Sequence, residues 1–300
     1  MISLKQLRYF EAVARHGHFG KAAEHCAISQ PALSMQIQDL EQELGLKLIE
    51  RRAKGAVLTE PGKEVARRAA RILGEVRDLA DYASQCGQLL SGPLRLGVIP
   101  TIAPYLLPRL LAELRTRHPH LELHVRETQT SVLVAELDHG QLDVLVLALP
   151  VDAPELETLP LMEDRFLLAM PKGRRPQAKV RASPELIKND RLLLLEEGHC
   201  LREQALTYCS LRQVNNIDTF GASSLATLVQ MVANGMGLTL LPEIAVAQEC
   251  TRGDIALIRF EEPQPTRTIG LAWRATSPRR RDFVELGRLI VATSGRARKG

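Results

Sequence analysis

From Leu94 onward the chain alternates short apolar runs with stretches of helical periodicity, and this rhythm constrains the fold more than any other feature. Residues 94–99, 121–126, 142–147, 166–170, 238–242, 255–259 and 269–273 read as strands. Residues 103–118, with Pro104 in the first turn, 223–234 and 281–292 read as helices. Alternation of this kind argues for open, mostly parallel sheets, and the length fits two small α/β lobes. Ligands of such sheets sit at the carboxyl ends of strands, in the cleft. Residues 88–93, which end in Ser91-Gly92-Pro93, read as a hinge by composition.

Ahead of that hinge the pattern is purely helical. Leu4, Leu7, Phe10, Val13 and Ala14 recur at helical spacing, so residues 3–15 form an amphipathic helix that Gly17 ends. A second short helix covers 19–26, and Ala27-Ile28-Ser29 makes a tight turn. Ser29 is the N-cap of a third helix that tolerates Pro31 in its first turn. Two small helices joined by a turn describe a helix-turn-helix. The second of them shows Gln30, Ser34, Gln36 and Gln38 outward, side chains that reach base edges and phosphates in a major groove. Residues 46–52 and 56–59 form two short strands around a basic tip, a wing, with Arg51, Arg52 and Lys54 placed for phosphates. On these observations alone, the unit serves equally as a protein-interaction module.

The chemistry-bearing stretch is Gly198-His199-Cys200-Leu201-Arg202 through Tyr208-Cys209. It reads as one short helix. A thiol at a helix N-terminus feels the positive end of the backbone dipole, which favours the thiolate, and Arg202 reinforces this if it points the same way. An accessible low-pKa thiol is what peroxide attacks, giving a sulfenic acid. Nine residues of intact helix separate the two sulfurs by about 13 Å of rise. A disulfide needs Cα atoms within about 7 Å, so the helix must unwind if the two are to join. The alternative is two ordinary buried thiols.

A length of 300 residues sets an expectation of two or three domains, and no apolar run is long enough to span a bilayer. Met1-Ile2-Ser3-Leu4-Lys5 runs straight into amphipathic helix, which points to the cytosol, where structural disulfides are rare. The cysteines (Cys26, Cys86, Cys200, Cys209, Cys250) form no CxxC pair and no close Cys/His cluster, so no zinc site is expected and no cofactor is implied. Cys26, Cys86 and Cys250 read as packing residues. Lys and Arg number 13 against 11 Asp and Glu in residues 1–90, 18 against 22 in 91–273, and 8 against 2 in 274–300. The basic excess therefore lies in a solvated tail, and bulk charge does not by itself establish nucleic-acid binding.

The run Phe19-Gly20-Lys21-Ala22-Ala23, Ser29-Gln30-Pro31-Ala32-Leu33-Ser34, Ile37, Leu40-Glu41, Leu44-Gly45, Leu48-Ile49-Glu50-Arg51 and Leu58-Thr59-Glu60-Pro61-Gly62 resembles the LysR-type transcriptional regulators. The resemblance implies an α+β multidomain chain: a winged helix-turn-helix over 1–60, a linker and dimerisation helix over 61–90, and a periplasmic-binding-protein-like effector region of two α/β lobes over 91–300. It implies DNA contacts from Gln30, Pro31, Ser34, Gln36, Gln38, Arg51, Arg52 and Lys54. The linker helix of the family pairs two chains, and here Val65, Ala69, Ile72, Val76, Leu79 and Tyr82 form the matching stripe. Gly235-Met236-Gly237-Leu238 through Pro242 resembles the general effector domain.

Residues 99–108, Glu127-Thr128-Gln129-Thr130, the Gly198-to-Cys209 segment and Arg267-Thr268-Ile269-Gly270-Leu271 are similar to one branch, the OxyR peroxide sensors. That likeness implies Cys200 as the thiol that meets hydrogen peroxide and Cys209 as its resolving partner. It implies a peroxide pocket of Thr101, Thr130 and His199, supported by Arg267. The segment from Ser210 to Asn216 departs from the pattern of that branch. The partners implied are double-stranded operator DNA, hydrogen peroxide, RNA polymerase and further copies of the chain, as a dimer of dimers. The leading expectation is a cytoplasmic, peroxide-activated DNA-binding regulator and not an enzyme. A second reading is a metabolite-responsive regulator of the same family, binding a small carboxylate through Ser223, Ser224 and Thr101. A third is a thiol peroxidase, for which no matching scaffold is present.

Overall fold

A computed structural model describes residues 1–52, 55–85, 88–174, 181–183, 187, 190–211, 222–251 and 253–295, with the side chains at 51, 81–82, 84–85 and 208–211 outside that description. The chain divides into two compact units, Met1–Cys86 with Asp138–Gln141, and Gly87–Leu137 with Leu142–Gly300.

The first unit opens with α1 (Leu4–His16), α2 (Phe19–His25) and α3 (Gln30–Leu44). Ser3 and Gln6 close a capping box at the start of α1, and Gly17 ends it in the left-handed region. Ser29 Oγ accepts from the Ala32 amide and Pro31 sits in the first turn of α3, as their positions predict. The wing is β1 (Ile49–Arg52) paired antiparallel with β2 (Gly55–Leu58). Phe10, Leu33, Ile37, Leu40 and Leu48 are fully or almost fully buried at its centre, and Ala69 and Leu73 of α4 (Glu60–Gln85) close the same core. Glu41 is buried beneath the wing. Its Oε1 accepts from the Leu48 and Ile49 amides at 2.8 and 3.2 Å, and Lys47 donates to Oε2 at 2.7 Å. Burial pushes its carboxyl pKa up, but Lys47 and the two amides outweigh that and hold it below the ordinary value. On α4, Ile72, Val76 and Leu79 of the predicted stripe are exposed.

The second unit runs β3 (Gly92–Val98), α5 (Ala103–Arg117), β4 (Leu121–Glu127), α6 (Thr130–Asp138), β5 (Val144–Leu149) and the long β6 (Leu156–Pro171). After the short 3-10 turn Lys172–Arg174 come α7 (Cys200–Leu211), α8 (Leu225–Ala233), β7 (Thr239–Pro242), α9 (Glu243–Glu249), β8 (Ile255–Arg259), β9 (Thr266–Arg274) and α10 (Arg280–Gly295). Among the described residues the sheet order is β4-β3-β5-β9-β6-β7, with β8 also on β6. One apolar core gathers around β3, β5, β9, α5 and α10, and a second around the far half of β6 with α7, α8, β7 and β8. These are the two α/β lobes. Strand β6 belongs to both: its first part pairs with β9, and Phe166–Met170 pair with β7 and β8.

Three expectations are corrected. The sheets are not mostly parallel: β3 is parallel to β4 and β5, but the β5–β9, β6–β9, β6–β7 and β6–β8 ladders are antiparallel. The chain crosses between lobes twice, through β6 and β9, and strands that cross in opposite directions pair antiparallel. Helices α6 and α9 were not foreseen, being short and lacking a long periodic stripe.

Nor is 88–93 a free hinge. Leu90 is 1% exposed and its amide donates to Asp282 Oδ1 at 3.2 Å, while Arg279 donates to the Ser91 and Pro93 carbonyls and to Asp282 Oδ2. A buried ion pair whose members also satisfy backbone groups is costly to halve. Asp282→Ala is expected to lower the unfolding free energy of this region by about 3–5 kcal/mol in urea denaturation. A loss below about 1 kcal/mol would show that the clamp carries little.

Candidate functional site

Two sites emerge, one in each unit. In the first, Gln30, Pro31, Ser34 and Arg52 line an open cleft of about 360 Å³ with His18, Phe19 and Gly55. The cleft forms where the start of α3 meets the wing. Gly55 has φ +143, and a Cβ there would stand 2.5 Å from the Gly17 carbonyl, so the wing can sit this close only with glycine. His18 Nδ1 accepts from the Gly20 amide at 3.0 Å, capping α2. Gln38 is exposed and Gln36 half-buried; neither lines the cleft. Gln36 lies about 200° round the helix from Ser34, away from its face. Arg52 also meets Glu50 Oε2 at 3.3 Å. Lys54 and the side chain of Arg51 lie outside the described residues. Sequence reasoning had Phe19 as the start of the family motif but not as a lining residue, and it missed His18, the residue just before that motif.

The second site is built at the crossing of the lobes. Thr101 follows β3 and Thr130 opens α6 just after β4, and these strands run parallel, so both threonines stand at carboxyl ends. Cys200 is the first residue of α7. Asp164 and Arg267 face each other in the register of the β6–β9 ladder. Both are almost wholly buried: Arg267 Nε donates to Asp164 Oδ2 at 2.9 Å, Nη1 to Thr101 Oγ1 at 2.8 Å and Nη2 to the Thr101 carbonyl at 3.0 Å. The guanidinium also lies 5.8 Å from the Phe166 ring centre. Asp164 Oδ1 accepts from the Ile244 amide at 3.0 Å, supplying the first turn of α9 with the cap that Pro242 lacks. Burial pushes the Asp164 carboxyl pKa up, against the pull of Arg267 and that amide.

The thiol does not behave as its helix position predicts. Burial raises the Cys200 pKa, and this outweighs the Arg267 charge, the Thr130 hydroxyl and the backbone amides, all of which lower it. The resting group at neutral pH is therefore the thiol. Arg202 does not point at it: its Nη1 donates to the Leu195 carbonyl at 3.1 Å, and the nearby cation is Arg267. His199 is 6% exposed and burial lowers its pKa, so the ring is neutral at pH 7. Thr130 Oγ1 is buried without a hydrogen-bond partner of good geometry, beside the Cys200 sulfur. Gln204, one turn further along α7, buries an Oε1 that also lacks a partner.

Because Thr101 Oγ1 accepts from Arg267, its own hydroxyl proton is left to point elsewhere. The described site thus offers a sulfur, a cation and hydroxyls of defined and undefined sense around the start of α7. The Cys209 backbone lies in the same continuous helix as Cys200, and its side chain is outside the description. Cys26 and Cys250 pack against the first-unit and second-lobe cores; Cys86 lies outside the described residues. Ser224 is engaged as the cap of α8, its Oγ accepting from the Thr227 amide at 3.2 Å, and Ser223 is exposed. Asp164 was missed: it follows Glu163 in a charged stretch, and nothing local sets it apart. Among the described residues no group of three or more His, Cys, Asp or Glu is placed to hold a metal, and no helix is long and apolar enough to cross a membrane.

Residues 4–63 match the family described as bacterial regulatory helix-turn-helix protein, lysR family, and residues 87–292 the LysR substrate binding domain. The chain is 41% identical over 97% of its length to the DNA-binding transcriptional dual regulator OxyR of Escherichia coli K12, of which it covers 95%. Full-length OxyR of Pseudomonas aeruginosa, in a cysteine-to-aspartate variant, has a similar structure, with a TM-score of 0.80 at 36% identity over 97% of this chain and 95% of that one. A cysteine-to-serine variant of Corynebacterium glutamicum OxyR, described as H2O2-bound, gives a TM-score of 0.66 at 35% identity over 98% and 95%.

The electrostatics give a direct test. Alkylation of Cys200 by iodoacetamide is expected to reach half its limiting rate at a higher pH than a free cysteine does, and Arg267→Gln should move that midpoint further up. A midpoint below that of free cysteine would contradict the burial argument.

Proposed function

We propose, from the premise that this chain belongs to the LysR-type transcriptional regulators and to their OxyR branch, that it is a hydrogen-peroxide-sensing DNA-binding regulator whose switch is the Cys200–Cys209 pair. The observation that carries this reading is the convergence of Thr101, Thr130 and Arg267 on a partly buried thiol at the start of a helix that also holds the second cysteine.

Peroxide enters as a neutral molecule, so a largely buried site does not penalise it as it would an anion. The Thr101 hydroxyl, its lone pair taken by Arg267, donates to one peroxide oxygen, and Thr130 places its hydroxyl beside the sulfur. Cys200 loses its proton as its sulfur attacks one oxygen of the peroxide. The S–O bond forms, the O–O bond breaks, and the departing hydroxide takes up the proton and leaves as water. Arg267 and the hydroxyl donors stabilise the charge developing on that oxygen. Cys200 is then a sulfenic acid. Attack by the Cys209 sulfur forms the S–S bond, and its proton leaves with the Cys200 hydroxyl as a second water. Two thiols have reduced one peroxide to two waters.

The second step requires α7 to break, since about 13 Å of helical rise separates the residues. Loss of that helix repacks the second lobe, and a change of shape reaches the DNA-binding unit. The reaction is stoichiometric, one event per chain, in keeping with a regulator and not a turnover enzyme. In the DNA-binding unit, Gln30, Pro31, Ser34 and Arg52 meet the operator across their shared cleft, with Gln38, Arg51 and Lys54 as further contacts. The exposed Ile72, Val76 and Leu79 of α4 pair with a second copy, pairs associate as a dimer of dimers, and the assembly acts in the cytoplasm on RNA polymerase at the promoter.

Cys200→Ser is expected to bind operator DNA but to show no peroxide-induced change in footprint. Cys209→Ser should form the sulfenic acid, trapped by dimedone, and no intramolecular disulfide. A wild-type footprint shift surviving in Cys200→Ser would remove the sensor reading.

A further inference from the structure

The residues so far assigned explain how the Cys200 sulfur is met by peroxide, but not what holds the turn in front of it. That turn, Glu197-Gly198-His199, belongs to the second lobe by sequence, yet a side-chain tie runs from it to the first. Gln129 Nε2 donates to the Glu197 carbonyl at 3.1 Å. Gly198 has φ +90, and a Cβ on it would lie 2.3 Å from Gln129 Oε1 and 2.6 Å from Cδ. The amide is thus laid flat against the glycine backbone, in space that only glycine leaves open. Gln129 itself is anchored: its carbonyl accepts from the Leu133 amide at 3.0 Å, fixing it to the first turn of α6. Consecutive residues of this one junction therefore meet both ends of the turn, Gln129 bonding to Glu197 and Thr130 lying beside the Cys200 sulfur.

We infer that Gln129 is a positioning residue for the peroxide reaction: it clamps the Glu197–Gly198 turn in the dithiol state, and release of this clamp is part of the switch. The inference rests on the reading of Cys200 and Cys209 as the redox pair. When α7 unwinds to let the sulfurs meet, the turn that leads into it moves with Cys200, and the Gln129 bond to Glu197 is lost. The bond therefore stabilises the dithiol form alone, and its removal shifts the equilibrium toward the disulfide. It also holds the sulfur beside Thr130, so its removal slows the first step. A residue that merely supported the fold would lower stability without moving the thiol–disulfide equilibrium.

The test equilibrates full-length protein with glutathione, in which two protein thiols and one oxidised glutathione exchange for the protein disulfide and two reduced glutathiones. Gln129→Ala is expected to shift the equilibrium constant toward the protein disulfide by about three- to tenfold, the range of one net hydrogen bond. Gln129→Glu, which keeps the length but loses the donor, should shift it the same way and serves if the alanine variant fails to fold. Both should form sulfenic acid more slowly than wild type. An equilibrium constant within about twofold of wild type in both variants, or a shift toward the dithiol, overturns the inference. If wild-type protein forms no disulfide with one equivalent of peroxide, the reading of the redox pair fails instead.

Discussion

A helix that carries both sulfurs cannot let them meet. That constraint, imposed by about 1.5 Å of rise per residue, is what turns a local oxidation into a change of shape. The second lobe holds the body of α7. Leu201 and Ala205 are buried in its core, but Cys200 packs against the core of the first lobe. The helix that must break therefore starts at the boundary between lobes, where the first lobe can hold or release its leading end.

The other organising element is the buried pair of Asp164 and Arg267. A guanidinium almost wholly removed from water is tolerable only when its charge is met and its N–H groups are satisfied, and here one carboxylate and both oxygens of Thr101 do so. The same arrangement sets the pocket's chemistry. It orients the Thr101 hydroxyl, places a cation near the Cys200 sulfur and ties the start of α9 to β6 through Ile244. Tyr105, one turn beyond Thr101, donates to Glu249 at the far end of α9 at 2.8 Å, so that helix is held at both ends by the residues around the pocket. Burial keeps the thiol protonated at rest, and reactivity then depends on donors and charge that act as the O–O bond breaks.

Local signals made much of this legible in the sequence. Gly17, Ser29 and Pro31 mark the ends of α1 and α3 because caps depend on neighbouring residues alone. The apolar runs gave the strands for the same reason. Strand direction was not legible, since it depends on where β6 and β9 cross between lobes, a long-range fact. The composition of 88–93 misled because its hinge-like residues are pinned by Arg279 and Asp282, nearly two hundred positions away in the chain. The placement of Cys200 at a helix N-terminus was read correctly, but the sign of its pKa shift was not. Dipole effects fade within one turn and act weakly, whereas desolvation depends on packing that no local pattern encodes. Asp164 was missed for a related reason: its partner Arg267 becomes its neighbour only through the register of a ladder.

Hydrogen exchange of the backbone amides of Cys200–Leu211, followed with and without one equivalent of hydrogen peroxide, tests the account most directly. The account predicts that these amides lose protection in step with formation of a Cys200–Cys209 disulfide detected by mass spectrometry on the same sample. A disulfide that forms while the helix keeps its protection would contradict it, as would unwinding with both thiols still free.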